Sequence, residues 1–525
     1  VSPTLQPDAL TMTPTPHVAW KSGLPTGKAL AFLMAGLGMV LSALVYLILP
    51  AVGLSSLSES LNYQRLIMLC GAGVGAIVYW QYWRLIIPRP QLLVAFVILG
   101  WPVVALGNLH LLELGVNIHF TPLLMLILML PMLRIIFPHI GLLWRQVPWL
   151  KYYAAFIGWL GLYFLFYNAN ATDPRLSGGE SAMGEGAVSL VQLIAYLYCL
   201  LCVALSAVTV LKIKNFRGFF DSINQALLWV SALESLITIS GFPFQLTSMM
   251  LDGFLRAIGI FSHPNPFAHH MGILMVYLLG LYCYYQGDRK HRMPTALLWS
   301  GLAINLIAFL LGLSKTAISA FALCALIIFL LNLAVPAIRR SFTQIAISLV
   351  TLLPLGLFIF EALSGKSFFG IMESRINETE SMNWRSMVWQ DLMAEIDLAT
   401  IWLGHGFTSA NQTVFNLTFN DAQNANPLMM VHNAYIALLY DLGIMGYLMF
   451  LAPLSLMLQS ARGWISAVKP ALRTEHTIII ALTVYFLFAC GFDEMSYMFD
   501  APQLYWTLVS ILFCMALREK QECRP

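Results

Sequence analysis

Charge is scarce in this chain: Asp, Glu, Lys and Arg make up 10% of its 525 residues, where soluble globular domains carry roughly a quarter. That scarcity excludes an ordinary soluble fold, whose surface needs far more polar cover. The formal net charge is only +3, so nucleic acid is not an expected partner; phosphate backbones are bound through strongly basic surfaces. All eight cysteines fall in apolar runs or in the last few residues, which implies no external disulfide framework. Cys199 and Cys202 form a C-x-x-C inside an apolar helix and read as packing residues. No repeat of fixed period is visible, unlike the many transporters that are built from duplicated halves.

What the chain has in abundance is apolar length. It is 59% hydrophobic with a mean hydropathy of +0.76. About 20 apolar residues cross a bilayer, and runs of that size recur throughout. About fourteen spans are expected, near 29–50, 66–83, 91–109, 121–138, 152–168, 188–211, 223–243, 268–286, 295–313, 316–336, 342–362, 433–459, 475–493 and 502–517. With these spans, 21 of the 28 Lys and Arg residues fall on one side, which puts that side and both termini in the cytoplasm. The expected fold class is therefore all-α, a polytopic integral membrane helical bundle. Residues 1–28 read as a cytoplasmic tail, 29–362 as a bundle of about eleven spans, 363–432 as a long external loop, 433–517 as about three further spans, and 518–525 as a second cytoplasmic tail.

Three external segments are long: 168–187, 244–267 and 363–432. The first is rich in Gly and Ser and reads as a connector. In the last, Trp384, Val388, Leu392 and Ile396 recur every four residues, the period of an amphipathic helix lying on the membrane or over a cavity. Four N-x-[ST] sequons, at Asn170, Asn377, Asn411 and Asn416, read as chance occurrences in polar loops.

External basic residues in such a protein need a reason. Arg256, Lys315, Arg375 and Arg385 fall on the outer side, where each alone is an ordinary helix-end or loop charge. Together they suit an anionic headgroup, since a guanidinium fork matches phosphate oxygens and an ammonium adds a point charge. His432 and Asn433 open the span near 433–459. If Asn433 caps that helix, His432 stands at its positive end as an imidazole able to take a proton from a hydroxyl. Asp441, nine residues further on, and Glu234 in another span are acids at membrane depth, expected to face the bundle interior and hold it together. Glu395 and Asp397 are an acidic pair of the kind that can hold a divalent ion, and equally fit the polar face of the loop helix.

Several motifs, in order, resemble one family. They are "RAIGIFSHPNPFAHH" ahead of a span, "LSKTAISAF" opening another, "NWRSMVW" with its Arg-x-x-x-Trp, the "LGHGF" turn, and "VHNAYIALLYDLGIMGYL" with His-Asn followed by an acidic-Leu-Gly run. Over roughly 250–460 the chain is similar to the O-antigen ligase and polymerase (Wzy/WaaL) superfamily of bacterial membrane glycosyltransferases. The resemblance implies a GT-C-like bundle in the bacterial inner membrane, with the long loop and active site in the periplasm. It implies inverting transfer, without metal or other cofactor, of glycan from an undecaprenyl-diphosphate-linked donor to a glycan acceptor. Membrane lipids, and other polysaccharide-assembly proteins, would be its partners. It gives His432 the role of general base and Arg385 that of binding the diphosphate, with Arg256, Lys315, Arg375 and Asn433 as substrate contacts. Lys315 stands where the family has arginine. Polymerase is favoured over ligase because fourteen spans exceed the dozen usual for ligases; transfer to protein hydroxyls is a third outcome. A transporter or flippase of lipid-linked or anionic solutes is the expectation of another class.

Overall fold

A computed structural model of the chain describes residues 87–100, 120–168, 185–251, 254–261, 263–287, 293–333, isolated positions between 336 and 373, 380–398, 400–411, 413–414, 431–467, 474–493, 495 and 500–522. The spans expected near 29–50 and 66–83, and Arg375, lie outside the described residues.

Helices dominate. In chain order they are α1 (Pro90–Leu99), α2 (Phe120–Ile136), α3 (Ile140–Gln146), α4 (Trp149–Tyr163), α5 (Glu185–Lys212) and α6 (Phe216–Gly241). After a short hairpin come α7 (Pro264–Gly287), α8 (Thr295–Leu311) and α9 (Lys315–Asn332). The loop contributes α10 (Glu380–Glu395) and α11 (Thr400–Leu403), and the chain closes with α12 (Ala434–Ala467), α13 (Thr474–Cys490) and α14 (Asp500–Glu522). Among the described residues, six helices are long and apolar enough to cross a membrane. α1, α8 and α13 are shorter apolar helices.

Burial sorts them. The apolar stretch of α7 is buried throughout while α9 leaves most of its surface open, so α7 is a core helix and α9 presents apolar side chains outward, as a lipid-facing helix does. α13 packs against α7, α9, α12 and α14. Between helices in lipid the driving force is close packing and buried hydrogen bonds rather than exclusion of water. On the α6–α8 face, the Ser235 hydroxyl donates to Asn305 Oδ1 at 2.9 Å and Asn305 Nδ2 donates to Ser231 Oγ at 3.2 Å. At the opposite end, Arg518 of α14 donates to the Leu211 carbonyl at 2.7 Å, satisfying the open C-terminus of α5.

Three local differences from the expected pattern matter. The segment 244–267 contains two antiparallel strands, β1 (Ser248–Leu251) and β2 (Phe254–Ala257), with Met249 paired to Arg256; an all-α fold has no place for them. Thr247 and Ser248 tie this hairpin back onto the end of α6 through the carbonyls of Thr238 and Phe242, which is why it holds its shape without a larger sheet. α12 is not one straight rod: it breaks at Gly443, where φ is 63° and ψ −171°. Finally, α13 ends at Cys490, so Asp493 lies beyond the helix rather than inside a span.

Candidate functional site

The loop helix α10 is seated by one side, with Met387 and Met393 on the other side exposed. Val388 and Leu392 are buried, as their four-residue spacing implies, with Trp384 partly covered. One turn apart on the same face, Arg385 and Trp389 reach two different elements. Arg385 Nη1 donates to the Phe492 carbonyl at 3.3 Å, just past the end of α13. Trp389 Nε1 donates to the Val431 carbonyl at 2.8 Å, just before α12. The spacing Arg-x-x-x-Trp thus ties one helix to the two chain segments that flank the site.

Val431 is held from the other side as well, its N–H donating to Asn411 Oδ1 at 3.0 Å; the sequon asparagine is a structural acceptor. Asn433 caps α12, accepting from the N–H groups of Tyr435 at 3.0 Å and Ile436 at 3.1 Å. Between these two fixed neighbours His432 has φ +55°, a left-handed backbone that few non-glycine residues adopt, His among the commoner. Such a conformation persists only when the surroundings impose it, and it concentrates at functional sites. Asn433→Ala is expected to lower unfolding stability by about 1 kcal/mol, measured by thermal or denaturant unfolding.

The group that His432 meets is an acid. Its Nδ1 lies 3.4 Å from Asp493 Oδ1, and its side chain is 14% exposed against 3% for the aspartate. The other carboxylate oxygen, Oδ2, lies 2.8 Å from Nε2 of His269 on α7. Asn265 Nδ2 donates to Asp493 Oδ1 at 3.4 Å. Burial alone raises the Asp493 carboxyl, but the hydrogen bonds and charge of His269 and His432 outweigh it and hold the group well below the usual carboxylate range. Behind Asn265 stands Arg256. It is 3% exposed, with Nη2 donating to Asn265 Oδ1 at 3.0 Å and Nε to the Gly312 carbonyl at 3.1 Å. The structure places Arg256 as a strut joining the hairpin, α7 and the turn before α9. Lys315 is the first residue of α9, next to the Ser314 cap, and is part-buried.

A second polar centre supports the first from below. Asp441 is fully buried, and its carboxylate accepts from the N–H groups of Thr408 at 2.9 Å and Ala410 at 2.7 Å. The Asp441 carbonyl also accepts from Gly406 N–H at 3.0 Å. The acid therefore folds the "GHGFTSA" turn onto α12, and the adjoining Asn411 passes that order to Val431. His405 stacks on the Tyr440 ring, with centroids 4.0 Å apart. Glu395 accepts from the Tyr440 hydroxyl, whereas Asp397 accepts from Thr400 N–H at 2.8 Å and caps α11. The two acids thus serve separate contacts.

The structure brings Arg385, His432 and Asn433 together. Arg256 is near them but behind them, and Arg375 lies outside the described residues. Sequence reasoning missed Asp493, His269 and Asn265. The signal was present: "FAHH" puts imidazoles in an apolar helix, and "CGFDE" puts an acid at the end of one, and both residue types demand partners at that depth.

Residues 300–451 match the family model described as O-antigen ligase (Wzy_C). No curated protein matches the chain. The matched stretch runs from α8 through the break in α12. It takes in Lys315, Arg385, His432, Asp441 and Gly443, while Arg256, Asn265, His269 and Asp493 lie outside it.

Proposed function

We propose, from the O-antigen ligase/polymerase superfamily domain at residues 300–451, that this chain transfers glycan from a polyprenyl-diphosphate carrier to a hydroxyl acceptor at the outer face of the inner membrane, with inversion and without a metal. The observation that carries the reading is that the cation and the base arrive at neighbouring residues. Arg385 reaches the Phe492 carbonyl and His432 reaches the Asp493 carboxylate.

The division of labour follows from the chemistry. A diphosphate is already a good leaving group, so the barrier falls chiefly through charge stabilisation and positioning. Arg385 stabilises the negative charge that grows on the departing diphosphate oxygen, and Lys315 adds a second positive charge. His432, with Nδ1 toward Asp493, takes the acceptor's proton at Nε2. The carboxylate fixes the tautomer and stabilises the imidazolium that forms, as the acid of a catalytic triad does. Asn265 and Arg256 hold that carboxylate from behind, so Arg256 acts on the reaction through Asp493.

The acceptor is proposed to be a second lipid-linked repeat unit, which makes the chain a polysaccharide polymerase; the expected span count supports this. The family description supports a second reading, ligation to a lipid A core. The test is the product profile of purified protein given lipid-linked repeat units alone, then with lipid A core, in excess chelator throughout. Longer chains from the repeat units alone are the expected result. Transfer only once lipid A core is present replaces polymerase with ligase. No transfer to either acceptor, with movement of the carrier across proteoliposomes, defeats the glycosyltransferase reading and leaves the transporter.

A further inference from the structure

We propose that His269, a residue outside the matched family domain, is a positioning residue for the transfer reaction: it holds Asp493 from the oxygen opposite His432 and, backed by Tyr485, sets how tightly His432 keeps its proton. The proposal rests on His432 being the base.

Its basis is geometric. His269 is fully buried in the buried stretch of α7, where an imidazole needs partners for both nitrogens. Nε2 lies 2.8 Å from Asp493 Oδ2 and Nδ1 lies 3.3 Å from the Tyr485 hydroxyl. With Nε2–H donating to the carboxylate, Nδ1 accepts from Tyr485. Tyr485 in turn sits in the notch that Gly272 leaves on α7; a methyl group there would overlap its hydroxyl. The chain Tyr485–His269–Asp493–His432 thus crosses from α13 to α7 and back to the site.

The two imidazoles do not share Asp493 equally. His269 is at 2.8 Å and His432 at 3.4 Å, so the shorter, charge-assisted bond is the one farther from the acceptor. Negative charge committed to His269 is charge that His432 does not feel. Remove the His269 N–H, and the carboxylate presents more of its charge to His432, which then holds a proton more firmly and discharges it at higher pH. Asp493 also gains freedom to rotate away from His432. Both changes slow proton abstraction near neutral pH. Among the described residues, the other charged or titratable groups that meet this chain include Arg256 through Asn265, His263, whose Nδ1 accepts from the Asn265 N–H at 3.3 Å, Arg385 through the Phe492 carbonyl, and Cys324 of α9 beside Tyr485.

The experiment is the pH profile of glycan transfer by the full-length protein with a purified lipid-linked donor. His269→Phe fills the same space without a donor. It is expected to lower kcat by about 10–100-fold near neutral pH, part of what a general base contributes, with KM for the donor unchanged. Its acid limb is expected to move to higher pH. His269→Gln restores a donor at the Nε2 position and should return most of the rate and the wild-type limb. Tyr485→Phe should move the limb in the same direction by less. A wild-type acid limb in His269→Phe, or a Gln variant no better than Phe, overturns the proposal. If His269→Phe does not fold, an unchanged limb in Tyr485→Phe overturns it. A His432→Ala protein as active as wild type defeats the base assignment instead, so the two failures are distinguishable.

Discussion

Replacing His432 with alanine is expected to lower glycan transfer by about 10²–10⁴-fold, the usual share of a general base, while the protein still inserts and folds. Asp493→Asn is expected to fall in the same range. The amide offers the same shape but cannot stabilise an imidazolium, and it can turn an N–H toward His432 or His269. Arg385→Ala is expected to lose about 10²–10³-fold, the cost of removing one preorganised group that meets developing charge. Arg385→Lys should recover only part of it, because the ammonium keeps the charge and loses the fork. Transfer by each variant, with purified lipid-linked glycan and with folding checked by thermal unfolding, is the measurement. Full activity of His432→Ala and Arg385→Ala together would refute the assignment.

Asp493 also makes a prediction about acid. Its carboxyl is held below the ordinary range by His269 and His432, so its folded value lies below its unfolded one. The stability it contributes is present above the unfolded value, near pH 4, and is lost as pH falls toward the folded value. The gap in unfolding stability between wild type and Asp493→Asn should therefore be widest at neutral pH and narrow below about pH 4. A gap that widens on acidification would show that the carboxylate is not the stabilising form.

How much of this was legible in the sequence depends on what kind of signal each residue leaves. The spans leave a strong one, because about 20 apolar residues in a row match the thickness of the hydrocarbon core and exceed what a soluble core helix needs. Most of the described helices fall where hydropathy puts them. Trp384, Val388 and Leu392 were legible because burial repeats with the helix period. Arg385 stood out because only seven of the 28 Lys and Arg residues fall on the expected outer side, and His432 because it stands directly before the asparagine that opens a span. Asp493 and His269 were not legible as a pair. They are separated by 224 positions, and what joins them is the packing of α7 against α13, a tertiary fact with no local trace. The hairpin at 248–257 was missed for a different reason. Its residues, "SMML" and "FLRA", alternate weakly and resemble a helix end, and its tie to α6 through Thr247 is what makes it extended.

Gly443→Ala is expected to cost about 3 kcal/mol or more and most of the transfer activity. Its φ of 63° with ψ of −171° belongs to a region populated almost only by glycine, worth about 1–3 kcal/mol to any other residue. Space is closed as well. A Cβ at Gly443 would lie 2.4 Å from the Trp402 carbonyl group, and one at Gly404 would lie 2.3 Å from the Asp441 carbonyl oxygen. The two glycines let α11 and the broken α12 touch backbone to backbone, and neither side can yield without lifting the loop. This contact explains the acidic-Leu-Gly sequence. Asp441 binds the turn through Thr408 and Ala410, and the glycine two residues on lets the turn come close enough to be bound. Asp441→Ala would strand two buried N–H groups, at about 1–3 kcal/mol each, so it should approach the effect of Gly443→Ala. From the turn, order passes through Asn411 to Val431 and so to the strained backbone of His432. The measurement is therefore double: thermal unfolding for stability, and limited proteolysis within 400–411 for release of the loop. Both variants should open the loop and lose transfer together. A Gly443→Ala protein that keeps the loop protected and transfers at the wild-type rate would show that the left-handed His432 is held by something other than this contact.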